Sequence, residues 1–254
     1  MLSRIVFLLT CFGLAGGIAY FWMSPWSPAI PHRARQKVLQ GDVTGAINLL
    51  TWHADNALSD EVRHESLWYS AQLASLKLKD EQKAIGLLRR CLTEETFPYA
   101  VEANAELASL LIDSQPVIAI QHWQNAISLQ PDHEKVGEWW LRIATAYERL
   151  ASPISEEERE SLTAEKKEEY EQLAIIAWNE VIHDKTRENM AHLALGRLNL
   201  YRDPASAKKH FQEASATGTL ERKRSAEIGE QLAKWEIERQ KTNVKGLEKS
   251  NKDK

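Results

Sequence analysis

Cysteine is nearly absent from this chain of 254 residues, which contains only Cys11 and Cys91. Cys11 lies in an apolar N-terminal run and Cys91 at a spacing typical of a helix core, so we expect no disulfide between them. This scarcity does not define the redox compartment, because an oxidising compartment does not require disulfides. There is no CxxC pair, which excludes the usual cysteine spacing of a structural zinc site.

Glycine and proline are also scarce, with 11 and 8 residues respectively. All-β folds need many tight turns that these residues supply, whereas the abundant Ala, Leu, Glu, Gln and Lys are good helix formers. The sequence therefore predicts an all-α fold. Its net charge of −4 and its pI near 6.1 give no global attraction to nucleic acid, so no nucleic-acid partner is expected.

Motifs of catalysis are absent as well. The sequence has no glycine-rich phosphate loop and no nucleophile elbow. None of its eight histidines forms the i, i+4 pair with a nearby carboxylate that a helical zinc site needs. The many carboxylates fall on polar helix faces, where water solvates them. We therefore expect no enzyme, no catalytic residue, no metal site and no cofactor.

One long apolar run stands at the N-terminus. From Ile5 to Met23 the chain has 19 residues without a charge, which as a helix span about 28 Å, close to the thickness of a bilayer core. Residues 1–23 are therefore predicted to be a transmembrane anchor or signal-anchor. A cleaved signal peptide is the alternative, but the apolar run continues past the small residues 15–17. A lipoprotein site at Cys11 is disfavoured because Thr10 precedes it and little apolar chain lies upstream.

Two sets of charges bear on the orientation in the membrane. Arg4 and the terminal amine place the N-terminus in the cytoplasm. Arg33, Arg35 and Lys37 favour the opposite orientation, but they lie beyond the apolar run by about ten residues or more. We expect a single-pass protein of the inner (cytoplasmic) membrane, with the rest of the chain on the extracytoplasmic, periplasmic side.

Internal repetition is the strongest signal in the sequence. A turn and then a small alanine recur along the chain, with a large apolar residue four positions after the alanine. The small residue lets two helices approach closely, and the large one fills the space one turn later. The alanines at 46, 84, 119, 174 and 207 are 38, 35, 55 and 33 residues apart. The large residues are Leu50, Leu88, Trp123, Trp178 and Phe211, and three positions later come His53, Cys91, Ala126, Val181 and Ala214.

The first helices of the repeats carry a second pattern. The segment 140–147, WLRIATAY, is similar to W-x-x-L-G-x-x-Y with alanine in place of glycine. Leu107-Ala108 and Leu195-Gly196 match the L-G pair, and Pro131 matches a proline that closes a repeat. Residues 33–220 thus resemble the tetratricopeptide-repeat family. The resemblance implies an all-α, right-handed solenoid of about five antiparallel helix hairpins. The apolar run predicts a single transmembrane helix before it.

Four segments depart from this regular pattern. Residues 24–32 have prolines at 25, 28 and 31, which predict a stiff spacer, with a proline-motif ligand as the alternative. The first repeat is degenerate because Arg33 and Lys37 occupy positions that should be apolar, so it is interpreted as a half repeat.

Residues 221–240, with Ala226, Ile228, Leu232 and Trp235, are predicted to form a capping helix. Residues 241–254, rich in lysine, are expected to be disordered; binding to anionic lipid or nucleic acid is the alternative to a solubilising tail.

The 55-residue interval contains an insertion at 151–169. Pro153 ends the preceding helix, and Ser155 with Glu158 reads as a capping box. From there to His183 the chain lacks proline and glycine. We expect either one long helix projecting about 20 Å beyond the stack or two helices broken near Thr163. Its mixed charges indicate a solvated face, with a docking arm for a partner as the alternative.

The resemblance also implies a binding surface. In the family, the first helices line a concave groove that holds a peptide or helical segment of another protein. Leu73 and Tyr201 could instead pack between hairpins, and the family's carboxylate clamp of Lys and Asn is not reproduced. The corresponding positions are Tyr69, Ser70, Leu73, Glu102, Glu106, Ser109, Glu138, Arg142, Thr145, Arg197 and Tyr201.

These observations predict a membrane-anchored scaffold or adaptor that binds another protein and serves in assembly of an envelope complex, with residues 5–23 in the membrane. A soluble periplasmic or secreted repeat protein, left after signal cleavage, is one alternative. A cytoplasm-facing regulatory subunit of an envelope-biogenesis enzyme is another. The sequence does not identify the partner, the pathway or the oligomeric state, because groove side chains rather than the fold determine them.

Overall fold

The computed structural model describes residues 29–93 and 97–252, with side chains described as far as residue 243. Within those residues all regular structure is helical, which confirms the all-α prediction. The chain divides into two compact units, Met1–Gln130 and Pro131–Lys254. Each unit is built from consecutive helices that pack against their neighbours in the chain.

The first unit contains six described α-helices and one π-helical turn. The turn, Ala74–Leu78, directly continues the third helix. The α-helices are α1 (Ala29–Leu39), α2 (Val43–Asp55), α3 (Asp60–Leu73), α4 (Glu81–Cys91), α5 (Ala100–Leu111) and α6 (Pro116–Leu129).

The second unit contains six α-helices among its described residues. A short α8 precedes the long second helix of its first hairpin, and the last helix is the longest in this unit. They are α7 (Val136–Ala151), α8 (Glu156–Ser161), α9 (Ala164–Val181), α10 (Glu188–Asn199), α11 (Pro204–Thr217) and α12 (Leu220–Lys252).

The repeat positions form the core of both units. All five repeat alanines are fully buried, and the large residues four positions later are at most 4% exposed. The third set is buried too, including His53 at 5% and Cys91 at 0%. Burying each large apolar side chain contributes about 1.5–3 kcal/mol. The spacing read from the sequence therefore identifies the packed face of α2, α4, α6, α9 and α11.

Three of these second helices, α2, α4 and α11, begin at an aspartate cap. Asp42, Asp80 and Asp203 accept hydrogen bonds from backbone N–H groups three residues later, at 2.8, 3.0 and 3.1 Å. Such caps satisfy N–H groups that have no partner inside the helix. Gly41 and Lys79 precede two of the caps with φ of 84° and 57°. This left-handed backbone reverses the chain just before the cap, and it favours glycine over lysine.

The second unit has an unusually close contact around Phe211. A Cβ atom built on Gly196 of α10 would lie 2.6 Å from the Phe211 ring, and one built on Gly229 of α12 would lie 2.4 Å from it. The ring therefore fills the space left by two glycines on two different helices. Ala207, Ala233 and the partly buried Leu193 and Leu200 complete this cluster.

The structure corrects the start of the repeats. Helix α1 begins at Ala29, inside the predicted spacer 24–32, and Pro31 fits its first turn because N–H groups there need no intrahelical partner. The first hairpin is complete rather than half a repeat: Ala34 packs with Ala46 and Leu50 of α2. Its apolar face uses 30, 34 and 38, so Arg33 and Lys37 lie beside that face rather than on it.

The insertion contains two helices instead of one long helix. The backbone is extended at Leu162 and Thr163, and the Thr163 hydroxyl caps α9 by accepting from Lys166 N at 3.2 Å. Helix α8 buries none of its residues. The Thr163 side chain therefore binds a backbone N–H group and starts a new helix, and this interrupts the helix although the segment contains neither proline nor glycine.

The C-terminal prediction is corrected in two respects. Helix α12 continues to Lys252 through the segment expected to be disordered, which contains no proline to interrupt it. Its buried face consists of Ala226, Gly229, Ala233 and Glu236, whose carboxylate pairs with Arg239 at 2.7 Å. In contrast, Ile228, Leu232 and Trp235, predicted to cover the last apolar face, are 58, 49 and 62% exposed.

No helix in the part of the chain that the structure describes is both long and apolar enough to cross a membrane. The predicted anchor, residues 1–23, lies outside the described residues, as do residues 24–28 of the predicted spacer.

The Phe211 contact gives a direct test with an internal control. Gly196→Ala or Gly229→Ala should destabilise the protein by about 1–3 kcal/mol, because the new methyl group would overlap the ring. Gly86→Ala on α4 meets nothing within 4 Å and should stabilise it by about 0.5–1 kcal/mol. Urea unfolding followed by circular dichroism measures both. Equal effects of the three variants would contradict the packing described for Phe211.

Buried histidines should make stability depend on pH. Burial lowers the pKa of His53 and His122, and burial together with the neighbouring His192 lowers the pKa of His210. The unfolded chain therefore takes up these protons first as pH falls below about 6.5. The free energy of unfolding should therefore be highest above that pH and should decrease as the pH falls toward 5. The double variant His53→Gln/His122→Gln should show a smaller decrease of the unfolding free energy with falling pH, measured by urea unfolding at a series of pH values. An unchanged decrease would contradict its attribution to these histidines.

Candidate partner-binding surface

A cavity of about 590 Å³ lies between α1 and α3 in the first unit. This volume falls within the range of ligand-binding pockets, about 300–1,000 Å³. Apolar side chains dominate the lining, and charged groups from two helices accompany them. The lining residues are Pro31, His32, Ala34, Arg35, Val38, Leu50, Glu65, Tyr69, Gln72 and Leu73.

Helix periodicity explains how these side chains reach one cavity. On α1, residues 31, 35 and 38 follow the i, i+4, i+7 spacing of one helix face, and on α3 residues 65, 69 and 72 do the same. Helix α2 contributes Leu50, one of the buried repeat residues. The cavity therefore lies between the first helices of successive hairpins, and the repeat core closes its base.

The α3 side of the cavity continues onto α5. The Gln72 amide, which lines the cavity, donates a hydrogen bond to the Glu106 carboxylate. Tyr99, just before α5, stacks on Trp68 with ring centres 5.9 Å apart. A hydrogen bond between the Tyr69 and Tyr99 side chains, together with partial burial, raises the pKa of Tyr69 to about 12. Tyr69 is thus a neutral phenol at physiological pH, positioned by a neighbouring ring.

The two sides of the cavity carry opposite charge. Arg35 and His32 lie on α1, whereas Glu65 lies on α3, and Glu102 and Glu106 lie on α5. Among the residues that the structure describes, no ion pair joins Arg35, Glu65 or Glu102 to another side chain. Some other carboxylates of this unit do pair: Asp42 with Lys37 at 2.6 Å and Asp60 with Arg63 at 2.6 Å.

The residues predicted in the first unit fall into four groups. Tyr69 and Leu73 line the cavity, and Glu106 contacts Gln72 of its lining. Glu102 and Ser109 are exposed on α5. The prediction for Ser70 is wrong, because this residue is fully buried and its hydroxyl donates to Ser66 O at 2.8 Å. One position along a helix turns a side chain by about 100°, which moves Ser70 from the cavity to the core.

In the second unit, most of the predicted residues bond within the unit. Glu138 accepts from Arg142 at 2.8 Å, and Arg197 pairs with Glu148 at 3.3 Å. The Thr145 hydroxyl donates to Leu141 O at 2.9 Å. Tyr201 is 72% exposed, so it does not pack between hairpins. These charges are already neutralised by their own neighbours, unlike those around the cavity.

Sequence reasoning missed the α1 side of the cavity altogether. Pro31, Arg35 and Val38 already have the spacing of one helix face, and this was the signal that could have identified them. They were missed because the prolines favour an extended spacer, and because the repeat pattern assigned Arg33 and Lys37 to the apolar positions of the first helix. Glu65 and Gln72 were missed on α3, although both stand at helical spacing from Tyr69.

Chemistry elsewhere in the described residues is limited. They contain no group of three or more His, Cys, Asp or Glu side chains that could hold a metal ion. Burial raises the pKa of Cys91 to about 12, so its thiol is protonated and unreactive at neutral pH. The Cys91 thiol donates to His64 O, and His53 Nδ1 lies 2.9 Å from Ser66 Oγ. These buried groups link α2, α3 and α4 and are structural.

No protein-family model and no curated protein matches the sequence. Among solved structures, the chain resembles a crystal structure of MamA at 18% identity and a TM-score of 0.48, covering 72% of this chain and 93% of that one. It also resembles MamA 41-end from Desulfovibrio magneticus RS-1, at 16% and 0.47, covering 74 and 92%. A tetratricopeptide repeat protein from Parabacteroides merdae ATCC 43184 gives 13% and 0.38, covering 80 and 97%. At these identities and TM-scores, the likenesses assign neither a family nor a function.

Proposed function

We propose that this chain is a protein-binding scaffold, a right-handed solenoid of tetratricopeptide-like hairpins, that holds a segment of another protein in the cavity between α1 and α3. The observation that carries the proposal is the cavity itself: about 590 Å³ with a mostly apolar lining and charged groups on both sides. A concave apolar site with a few polar groups is the usual form of a binding site.

The composition of the cavity suits a peptide better than a reaction. Its titratable groups, His32, Arg35, Glu65 and Tyr69, lie on the two facing helices. The Tyr69 phenol, with its pKa of about 12, is a poor general base at neutral pH. Apolar side chains of a partner would each gain about 1.5–3 kcal/mol by burial against Val38, Leu50 and Leu73. Part of that gain offsets the entropy lost on association.

We also propose that residues 5–23 anchor this scaffold in the inner membrane, with the repeats on the periplasmic side, as an adaptor in assembly of an envelope complex. The support is the run of 19 uncharged residues and its length relative to a bilayer. Anchoring would keep the cavity close to membrane-bound partners and so raise their effective concentration.

The cavity is tested by comparing two exposed aromatic residues of the same unit. Tyr69 lines the cavity and is 43% exposed, whereas Trp52 lies on α2 outside the lining and is 41% exposed. A protein that co-purifies with the chain from detergent-solubilised membranes should be reduced about tenfold or more by Tyr69→Ala, since such anchors carry most of the binding energy. Trp52→Ala should leave recovery unchanged.

Quantitative mass spectrometry measures this recovery, and circular dichroism confirms that both variants fold. Equal recovery with Tyr69→Ala and wild type would contradict a role for the cavity. Equal loss with both variants would show that the loss is not specific to the cavity and would also contradict its role.

The anchor is tested by deletion of residues 1–28. This end point leaves α1 intact, because the helix begins at Ala29 and buries Ile30. The truncated protein should move to the soluble fraction on cell fractionation, while the full chain stays with membranes. Sequencing of the mature N-terminus separates anchor from leader: a start between residues 15 and 24 would overturn anchoring.

A further inference from the structure

We infer that the segment bound in the cavity carries an apolar anchor with a basic residue on one side only, so that the opposite charges of the two helices fix its orientation. This inference rests on the proposed binding role of the cavity. It names the chemistry of the partner, which apolar burial alone would leave open.

The acidic side is formed by α3 and α5. Glu65 lines the cavity, and neither it nor Glu102 forms an ion pair with any residue that the structure describes. Glu106 accepts a hydrogen bond from the neutral Gln72 amide, which leaves the negative charge of Glu106 uncompensated. One carboxylate therefore lines the cavity, a second contacts a lining residue, and Glu102 lies one turn before Glu106 on α5; none of them has an ion-pair partner among the described residues.

The basic side is α1. Arg35 lines the cavity and forms no ion pair within the described ranges, and His32 lies one turn before it. The nearby Lys37 is occupied by Asp42 at 2.6 Å. A cation of the partner is therefore attracted toward α3 and α5 and repelled by Arg35. A partner with basic residues on both sides meets one favourable and one unfavourable contact, whereas a partner with a basic residue on one side meets only the favourable one.

Elsewhere among the described residues of this unit, some exposed charges lie in pairs, including Arg90 with Asp55. Complementary charges across an interface determine specificity and orientation more than overall affinity. The uncompensated charges at the cavity are thus suited to selecting among apolar segments.

Four synthetic peptides that share one Leu-rich anchor test this inference. One has lysines on one side of the anchor, one has lysines on both sides, one has glutamates in the same places as the first, and one has glutamines there. Fluorescence anisotropy with the full-length protein in detergent gives each Kd. The one-sided basic peptide should bind about five- to tenfold more tightly than the neutral one, and the acidic peptide more weakly than the neutral one.

Charge variants then identify the side chains. Glu65→Gln should abolish most of the preference for lysine, whereas the control Glu61→Gln, one turn earlier on α3 and outside the cavity lining, should retain it. Glu65→Lys should reverse the preference toward the acidic peptide. Arg35→Glu should make the peptide with lysines on both sides the tightest of the four.

The outcomes separate this inference from the proposed function. Binding of all four peptides with equal Kd values, unaffected by Glu65→Gln, would overturn the charge inference and indicate an uncharged apolar occupant, while leaving the cavity a binding site. Preference for the acidic peptide in the wild type would also overturn it. No measurable binding of any peptide would count against the proposed function itself.

Discussion

The structure depends on one contact: a small alanine on a second helix, with a large apolar side chain one turn later, packed against the first helix of a hairpin. Small residues allow the helix axes to approach, and the large ones fill the remaining volume at close-packed density. These positions recur in both units and are buried throughout, so within each unit successive hairpins pack through the same edge. The first helices are thereby held side by side, and the space between α1 and α3 is a consequence of that arrangement.

The cavity is lined by side chains on the helix faces that do not pack into the core. Helix α3 uses His64, Leu67, Trp68 and Ala71 for the core, and the adjacent face carries Glu65, Tyr69 and Gln72. The same division places Arg35 on the free face of α1. In the second unit the corresponding faces satisfy their charges internally, through pairs such as Arg197 with Glu148. The two units share the same core packing but differ in whether the charges on their first helices are paired.

Sequence reasoning identified the repeated core well and the surface poorly, for physical reasons. Burial at the alanine and large-residue positions leaves a periodic signal, so every second helix could be located. Tyr69 and Leu73 were found because the first-helix pattern sets their register. Ser70 was misplaced because a one-residue error rotates a side chain by about 100°. The start of helix α1 was misplaced because a proline in the first turn and a proline in an extended spacer look alike locally. The continuation of α12 was missed because residues 241–252 are mostly polar and carry no apolar periodicity.

The Phe211 ring between Gly196 and Gly229 has a consequence for how this chain can diverge. The two glycines are individually unfavourable in helices, and the ring is what makes both necessary. A change at either glycine is tolerated only after residue 211 has become smaller, whereas a smaller residue at 211 opens a void that larger residues at 196 and 229 could later fill. Substitutions at the three positions therefore have a required order, in which the aromatic residue changes first. Descendants of this sequence should retain all three residues or replace all three.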